Sequence, residues 1–435
     1  MVQVSPLPVT MMLSSALGLQ KACRTGRWPL ETADEIISAM RAIAPPGQAS
    51  LDDATLTELR HWTAALLRVK PDADAEYARF RQITERENPA QPAELGSWLA
   101  DKAVLVVGGT GCIGSALIRE LRAHQPSRIA SISRGEHTWV SQDRVDYRRV
   151  DIRDGQALKD LVADIRPDVV FHLAGQRDPG LAERSVYDTV TTNILGTRNV
   201  VAAAAAAGAQ QVVHASTGKA MRPYSREVYA ASKRLAEFVV YQARSDFARA
   251  SMARFTHIVD NSLVHKRLLA CHSERFFRLH EPGVVFYAQS ARESAQLLLQ
   301  AGLTPAADDL YVHAIRDLGW PISLLDLAIG TLRQIGSSVP IYFSGFDKGY
   351  EDTVRPDLFD PRSAGDVSPL FNKFEAARAE PSSAGTDRFD VRFDLSRNLD
   401  YAISGLAAAC QSTGDTYALR AALDVASLAL RDAAR

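Results

Sequence analysis

Cysteine is scarce in this sequence, neither charge is in excess, and no hydrophobic run is long. Each shortage closes off a class of function. The four cysteines, Cys23, Cys112, Cys271 and Cys410, lie far apart, with neither metal-ligand spacing nor a disulfide framework. They read as reduced thiols of a cytoplasmic protein, and no metal site is expected. Lysine and arginine total 50 against 51 aspartates and glutamates, a formal net charge of -1. That balance gives no electrostatic footprint for nucleic acid or an anionic membrane. The apolar run Val200–Ala207 is too short to span a bilayer and reads as a packed helix. No basic region precedes the weak apolar stretch at the N-terminus, so no secretory signal is expected. What is present is ordinary for a globular enzyme: 435 residues, 46% hydrophobic and 23% charged. The length predicts a main domain with additions at its ends.

The chain is organised around Val104–Gly114. A short Val-rich run reads as a buried parallel strand and ends in Gly108, Gly111 and Gly114. Ser115–Arg122 then has helical spacing, so the glycines occupy a strand-to-helix turn. Backbone N–H groups at such a helix N-terminus can carry a dinucleotide pyrophosphate, with Thr110, Cys112 and Ile113 in the same turn. From 103 to about 320, strand and helix patterns alternate. Strands are expected at Val104–Val107, Arg128–Ser133, Asp146–Val150, Val169–Leu173, Gln211–Ala215, Met252–Val259 and Leu310–Ala314. This predicts an α/β fold with a doubly wound parallel sheet. Residues 1–98 read as a helical appendage, beginning with a capping box at Thr32–Glu35. A substrate-binding part is expected within about 255–350 of the 99–350 domain. After it come an irregular stretch (Asp352–Asp387) and, from Tyr401 on, a helix pair broken at Gly414-Asp415 within 351–435.

The candidate chemistry sits at strand ends. Ser133-Arg134 follows the second strand, where an acid would accept the ribose hydroxyls of NAD; an Arg suits the 2′-phosphate of NADP. NADP is therefore expected, with NAD the alternative. Asp151-Ile152 ends the third strand beside the adenine position, and Leu173-Ala174-Gly175 gives small residues at the end of the fourth. Tyr229 and Lys233, four apart, share one helix face, so the ammonium can lower the phenol pKa. Ser216 or Thr217 can hydrogen-bond the reacting oxygen.

These segments together resemble an extended short-chain dehydrogenase/reductase with a Rossmann-type sheet. Within that superfamily the chain is similar to nucleotide-sugar 4,6-dehydratases and polysaccharide-biosynthesis proteins. The motifs that carry the resemblance are Gly108–Gly114, Ser133–Glu136, Val170–Glu183, Thr192–Thr197, Ser216–Ala220 and Tyr229–Glu237. It covers roughly residues 103–350. The resemblance implies a bound NADP or NAD and makes Tyr229 the acid/base, Lys233 its partner and Thr217 the hydroxyl residue. It also implies that Lys219 assists elimination, that Asn193 belongs to the cofactor site, and that Gln176, Arg177 and His257 face the substrate. His214 and His265 are further candidates for the pocket lining. Departures accompany the matches. Gly218 stands where the dehydratases carry the acid that expels the hydroxyl, and Asp347 stands in place of a phosphate-binding Arg. The leading expectation is an NADP-dependent oxidoreductase for a hydroxyl or ketone of a small biosynthetic metabolite. An NDP-sugar dehydratase or epimerase is the alternative, and a non-catalytic dinucleotide-binding scaffold the third reading. The resemblance further implies a homodimer through the helices Asn193–Ala206 and Tyr229–Ala243.

Overall fold

The computed structural model describes residues 32–135, 142–261, 263–271, 274–304, 309–345, 368–382, 385–395, 399–412 and 415–434. Glu136, Asp347 and the first part of the expected irregular stretch lie outside the described residues. The chain divides into two compact units, and the division is interleaved rather than a single cut near residue 98. One unit comprises Met1–Arg79, Leu263–Val284 and Ser323–Phe346, and the other holds the rest.

In the first unit the capping box forms as expected: the Thr32 side chain accepts from the Glu35 N–H while Glu35 reaches back to Thr32. The helix Ala33–Ile43 buries Ile36, Ile37 and Met40, and the helix Asp53–Val69 buries Leu59, Trp62 and Leu66. Two later segments complete this core. Ile341–Phe343 pairs in parallel with Phe277–Leu279 and is fully buried. In the helix Leu324–Gln334, Gly330 faces Tyr77 so closely that a Cβ there would stand 2.5 Å from the Tyr77 Cβ. The apolar strips at 277–279 and 341–343 are too short to bury themselves. They find their partners among the N-terminal helices, which a reading by linear order cannot foresee.

The second unit is built on a nine-stranded sheet. Its strands are β1 (Ala103–Val107), β2 (Arg128–Ser133), β3 (Asp146–Arg149), β4 (Val169–His172), β5 (Gln211–Ala215), β6 (Arg249–Ala253), β7 (Leu310–Ile315), β8 (Glu380–Pro381) and β9 (Thr386–Val391). They lie in the order β8-β9-β7-β6-β5-β4-β1-β2-β3. β1 to β7 are parallel, and β1, β4 and β5 are buried on both faces, which accounts for their unbroken apolar runs. The order reverses at β1, between β4 and β2, and this switch point opens a crevice at the carboxyl ends of the strands. The doubly wound expectation holds. Two strand expectations need correction. The sixth strand ends at Ala253, where the Arg254 side chain enters a buried ionic cluster and the chain turns away. The later part of the stretch expected to be irregular supplies β8 and β9, with β9 antiparallel to β7.

The helices Leu399–Ser412 and Thr416–Ala433 form the expected pair. The second packs on the helix Val228–Gln242, which carries Tyr229 and Lys233. Tyr224 Oη donates to Asp424 at 2.5 Å, Arg420 lies 2.8 Å from Glu183, and the Phe393 ring stacks edge-on against Phe238 and Tyr241. Residues Val228 and Ala230–Tyr241 are all buried within this one chain. This helix, one of the two expected at a homodimer interface, is thus covered along most of its length by the chain itself.

Candidate active site

The glycine turn lies where the sequence places it. Gly108 has φ +92°, and a Cβ there would stand 2.7 Å from the Ala174 nitrogen at the end of β4. A Cβ on Gly114 would stand 2.3 Å from the Gly108 carbonyl oxygen. Neither position accepts a side chain, so the turn stays tight and the helix Cys112–Ala123 starts close against β1. That helix has Gly111 at its N-cap and no side-chain cap among the described residues. A helix start without a side-chain cap is the arrangement that suits a pyrophosphate. The residues present thus fit a dinucleotide. Thr110 and Ile113 are half-buried in the turn and Cys112 is buried.

Arg134 is exposed at the end of β2, beside half-buried Ser133. Burial pushes the Asp151 carboxyl up, but hydrogen bonds and charge from Arg153 outweigh it and hold the group below its usual range. Asp151 also lines an open cleft of about 400 Å³ with Arg153, Asp154, Tyr187, Thr191 and Leu195, while Ile152 is buried beside it. At the end of β4, Leu173, Ala174 and Gly175 lead to Gln176, whose N–H donates to Asn193 Oδ1 at 2.7 Å. The Asn193 amide also donates to the Gln176 carbonyl at 3.1 Å and to Ser232 Oγ at 2.9 Å. Asn193 therefore ties this loop to the helix of Tyr229. Arg177 is exposed, and His257 is half-buried with its ring 4.8 Å from that of Phe286.

The catalytic candidates gather at the end of β5. Lys233 is buried and donates to the Ala215 carbonyl at 2.8 Å. Burial lowers its pKa to about 8, with the Glu237 carboxylate opposing the shift. It remains a cation at neutral pH. The Lys219 ammonium lies 5.6 Å from the centre of the Tyr229 ring and 2.6 Å from Glu227. Thr217 is half-buried, its hydroxyl 3.5 Å from the Phe255 carbonyl.

Ser216 is turned the other way. It is buried and donates to Glu237 at 2.6 Å, so its hydroxyl is engaged beneath the site. His214 is likewise a core residue, packed ring to ring with His172 at 5.0 Å; burial and the nearby Lys233 hold it well below its ordinary pKa. His265 belongs to the other compact unit, beside Tyr77.

Two features escaped the sequence reading. Beneath the site Arg254, fully buried, holds Glu237 at 2.7 Å and Glu375 at 2.8 Å and donates to the Leu370 carbonyl at 3.1 Å. Burial opposes ionisation of Glu237, yet Arg254 dominates and brings its pKa down to about 2. The cluster anchors a strap, Ser368–Asn372, which Asn372 also ties to the Met221 carbonyl at 2.8 Å. The strap runs over Gly218. A Cβ on Gly218 would stand 2.2 Å from the Pro369 carbonyl oxygen, so the position expected to carry an acid in a dehydratase is filled by main chain.

Residues 104–351 match the family described as polysaccharide biosynthesis protein. The chain belongs to this family. The capsular polysaccharide biosynthesis protein CapD of Staphylococcus aureus is 27% identical over 285 residues, 61% of this chain and 47% of CapD. An inverting UDP-N-acetylglucosamine 4,6-dehydratase of Campylobacter jejuni is 29% identical over 162 residues, 36% of this chain and 47% of the dehydratase. The chain thus spans about half the length of the curated relatives it matches. Among solved structures, the UDP-glucose 4-epimerase of Thermus thermophilus in complex with NAD superposes with a TM-score of 0.51 at 18% identity. The match covers 61% of this chain and 93% of the epimerase. That likeness establishes the extended short-chain dehydrogenase/reductase fold. No helix among the described residues is long and apolar enough to cross a membrane.

Proposed function

We propose that this chain is a nicotinamide-dinucleotide-dependent enzyme that oxidises and re-reduces a hydroxyl of a nucleotide-linked sugar, in the manner of an epimerase or oxidoreductase. One observation supports the reading: Lys233 donates to the Ala215 carbonyl at the end of β5 at 2.8 Å, and Lys219 from the turn after β5 lies over the Tyr229 ring, in the same sheet whose β1 leads into a helix start without a side-chain cap. The names of the relatives favour a nucleotide sugar over the small metabolite expected from the sequence. The dinucleotide, when bound, accepts and returns a hydride. Tyr229 takes the proton of the reacting hydroxyl and gives it back, Lys233 stabilises the phenolate, and Thr217 orients the oxygen. Arg134, exposed after β2, supports NADP over NAD.

The Gly218 corner separates this chemistry from dehydration. With the Pro369 carbonyl in the place of an acid, no side chain at 218 is available to expel a hydroxyl. The reading therefore ends at ketone formation or epimerisation. Its test is incubation with a panel of UDP-sugars and either NADP or NAD, with products resolved by mass and stereochemistry. An epimer or a keto sugar without loss of water is expected, with turnover reduced about a thousandfold in Tyr229→Phe. A 4-keto-6-deoxy product, or turnover unaffected by Tyr229→Phe, would overturn it.

A further inference from the structure

Glu227 is the N-cap of the helix that carries Tyr229, but its side chain does not cap it. The first helical N–H, at Val228, is taken instead by Glu183 Oε1 at 2.8 Å, and the Glu227 N–H goes to Ser225 Oγ at 3.1 Å. The Glu227 carboxylate is fully buried and turned toward the turn that follows β5. One oxygen meets Lys219 Nζ at 2.6 Å, and the other meets Arg222 at 3.1 Å. Lysine is a flexible side chain that ordinarily keeps its head in water, but the Lys219 side chain is only 14% exposed. The buried carboxylate holds it in place, over the face of the Tyr229 ring.

We propose that Glu227 is a positioning residue for the acid/base, holding Lys219 beside Tyr229 so that the phenol faces a second cation besides Lys233. The inference rests on the reading of Tyr229 as acid/base but not on any substrate. The charged groups around this helix end are Lys219 and Arg222 from the turn after β5, and Glu227 and Lys233 from the helix itself. Glu183, paired with Arg420, and the Arg226 and Asp424 that meet at Tyr224 flank it. His214, behind Lys233 on β5, is neutral. Acting directly, the Glu227 charge disfavours phenolate; acting through Lys219, it favours phenolate. The two roles have opposite signs, so one titration separates them.

The experiment follows tyrosinate ultraviolet absorbance against pH in the full chain without cofactor. Subtracting the Tyr229→Phe variant isolates Tyr229 from the remaining tyrosines, since the chain has 12 in all. In Glu227→Gln, which keeps the shape but loses the charge, the Tyr229 midpoint is expected to rise by about one pH unit. In Lys219→Met it is expected to rise similarly, and Glu227→Gln in that background is expected to give no further rise. A fall or no change in Glu227→Gln, or no change in Lys219→Met, would overturn the proposal. Should Glu227→Gln not fold, Glu227→Asp takes its place, keeping the charge but shortening its reach to Lys219, and a Tyr229 midpoint that does not rise there would overturn the proposal. Dinucleotide binding by the unaltered protein is measured alongside: its loss would count against the proposed function, whereas an unmoved Tyr229 midpoint with binding retained counts only against Glu227.

Discussion

Two glycine corners of the larger unit look alike in sequence and do opposite things. At Gly108 and Gly114 an added Cβ would strike atoms of the turn itself and of the adjoining β4 loop. The turn is tight for local reasons, and the space outside it stays open for a ligand. At Gly218 the Cβ would strike Pro369, a residue from a distant segment. There the absence of a side chain gives space to the chain rather than to a substrate. A glycine in a site can therefore mean either a cradle or a filled place, and only the neighbour it faces tells which.

The strongest way to break this contrast is to release the strap. Arg254→Met removes the fully buried one of the two arginines, Arg254 and Arg234, that hold Glu237 and Glu375. Such a loss destabilises by about 3–5 kcal/mol, to be read as a lower urea midpoint. Little or no change would show that the strap is held by packing alone. Next comes the open corner: Gly114→Ala is expected to weaken dinucleotide binding by about a hundredfold, on the order of 3 kcal/mol, while the catalytic corner keeps its fold. A titration of cofactor by intrinsic fluorescence checks it, and unchanged affinity would remove the cradle from the account. At the filled corner, Gly218→Ala is expected to leave dinucleotide affinity unchanged and to lower stability by about 1–3 kcal/mol through overpacking against Pro369. A Gly218→Ala protein as stable as the parent would mean that the strap yields freely.

The last test is a pH slope. Burial holds His172 and His313 at about 3, and His214 is lowered as well. Their folded pKa values lie below the unfolded value near 6.5, so the unfolded chain binds more protons in that window. The stability they contribute is complete above about pH 6.5 and is lost as pH falls toward 3, by about 1.4 kcal/mol per pH unit for each imidazole. Below about 4.5 the Glu237 carboxylate, lowered to about 2, adds to the loss. Thermal unfolding between about pH 7 and 5 should show the slope, and His172→Asn should flatten it. A flat profile in the parent would contradict the burial of these rings.

The cradle was legible in the sequence because everything it needs lies within one short stretch, from Val104 to Gly114, plus a strand-to-helix pattern. The Tyr229–Lys233 pair was legible for the same reason: one turn of helix sets its geometry. The Thr32–Glu35 capping box needed only local spacing. Gly218 could be read as the loss of an acid but not as a place taken by Pro369, because nothing near Gly218 marks the partner. β9 was missed because its pattern alternates Arg388 and Asp390 with buried Phe389 and Val391, and the polar residues hid a strand that pairs chiefly with β7. The choice between Ser216 and Thr217 for the reacting oxygen was left open in the sequence, because Arg254, which holds the Glu237 that Ser216 donates to, acts across the fold. The chain's own second C-terminal helix covers the Tyr229 helix, and that too is decided by residues remote in sequence.

The cover over the Tyr229 helix bears on how the protein is made. Tyr224, just ahead of that helix, meets Asp424, 200 positions later, and Arg254 meets Glu375, 121 positions later. During synthesis the glycine cradle and its neighbouring strands can assemble from residues already outside the ribosome. The catalytic corner must wait for the strap and the helix pair to be translated. Until then the apolar flank of the Tyr229 helix is exposed on the nascent chain, so ribosomes stalled before residue 368 should display a folded nucleotide cradle attached to a chaperone-binding, catalytically unfinished sheet edge.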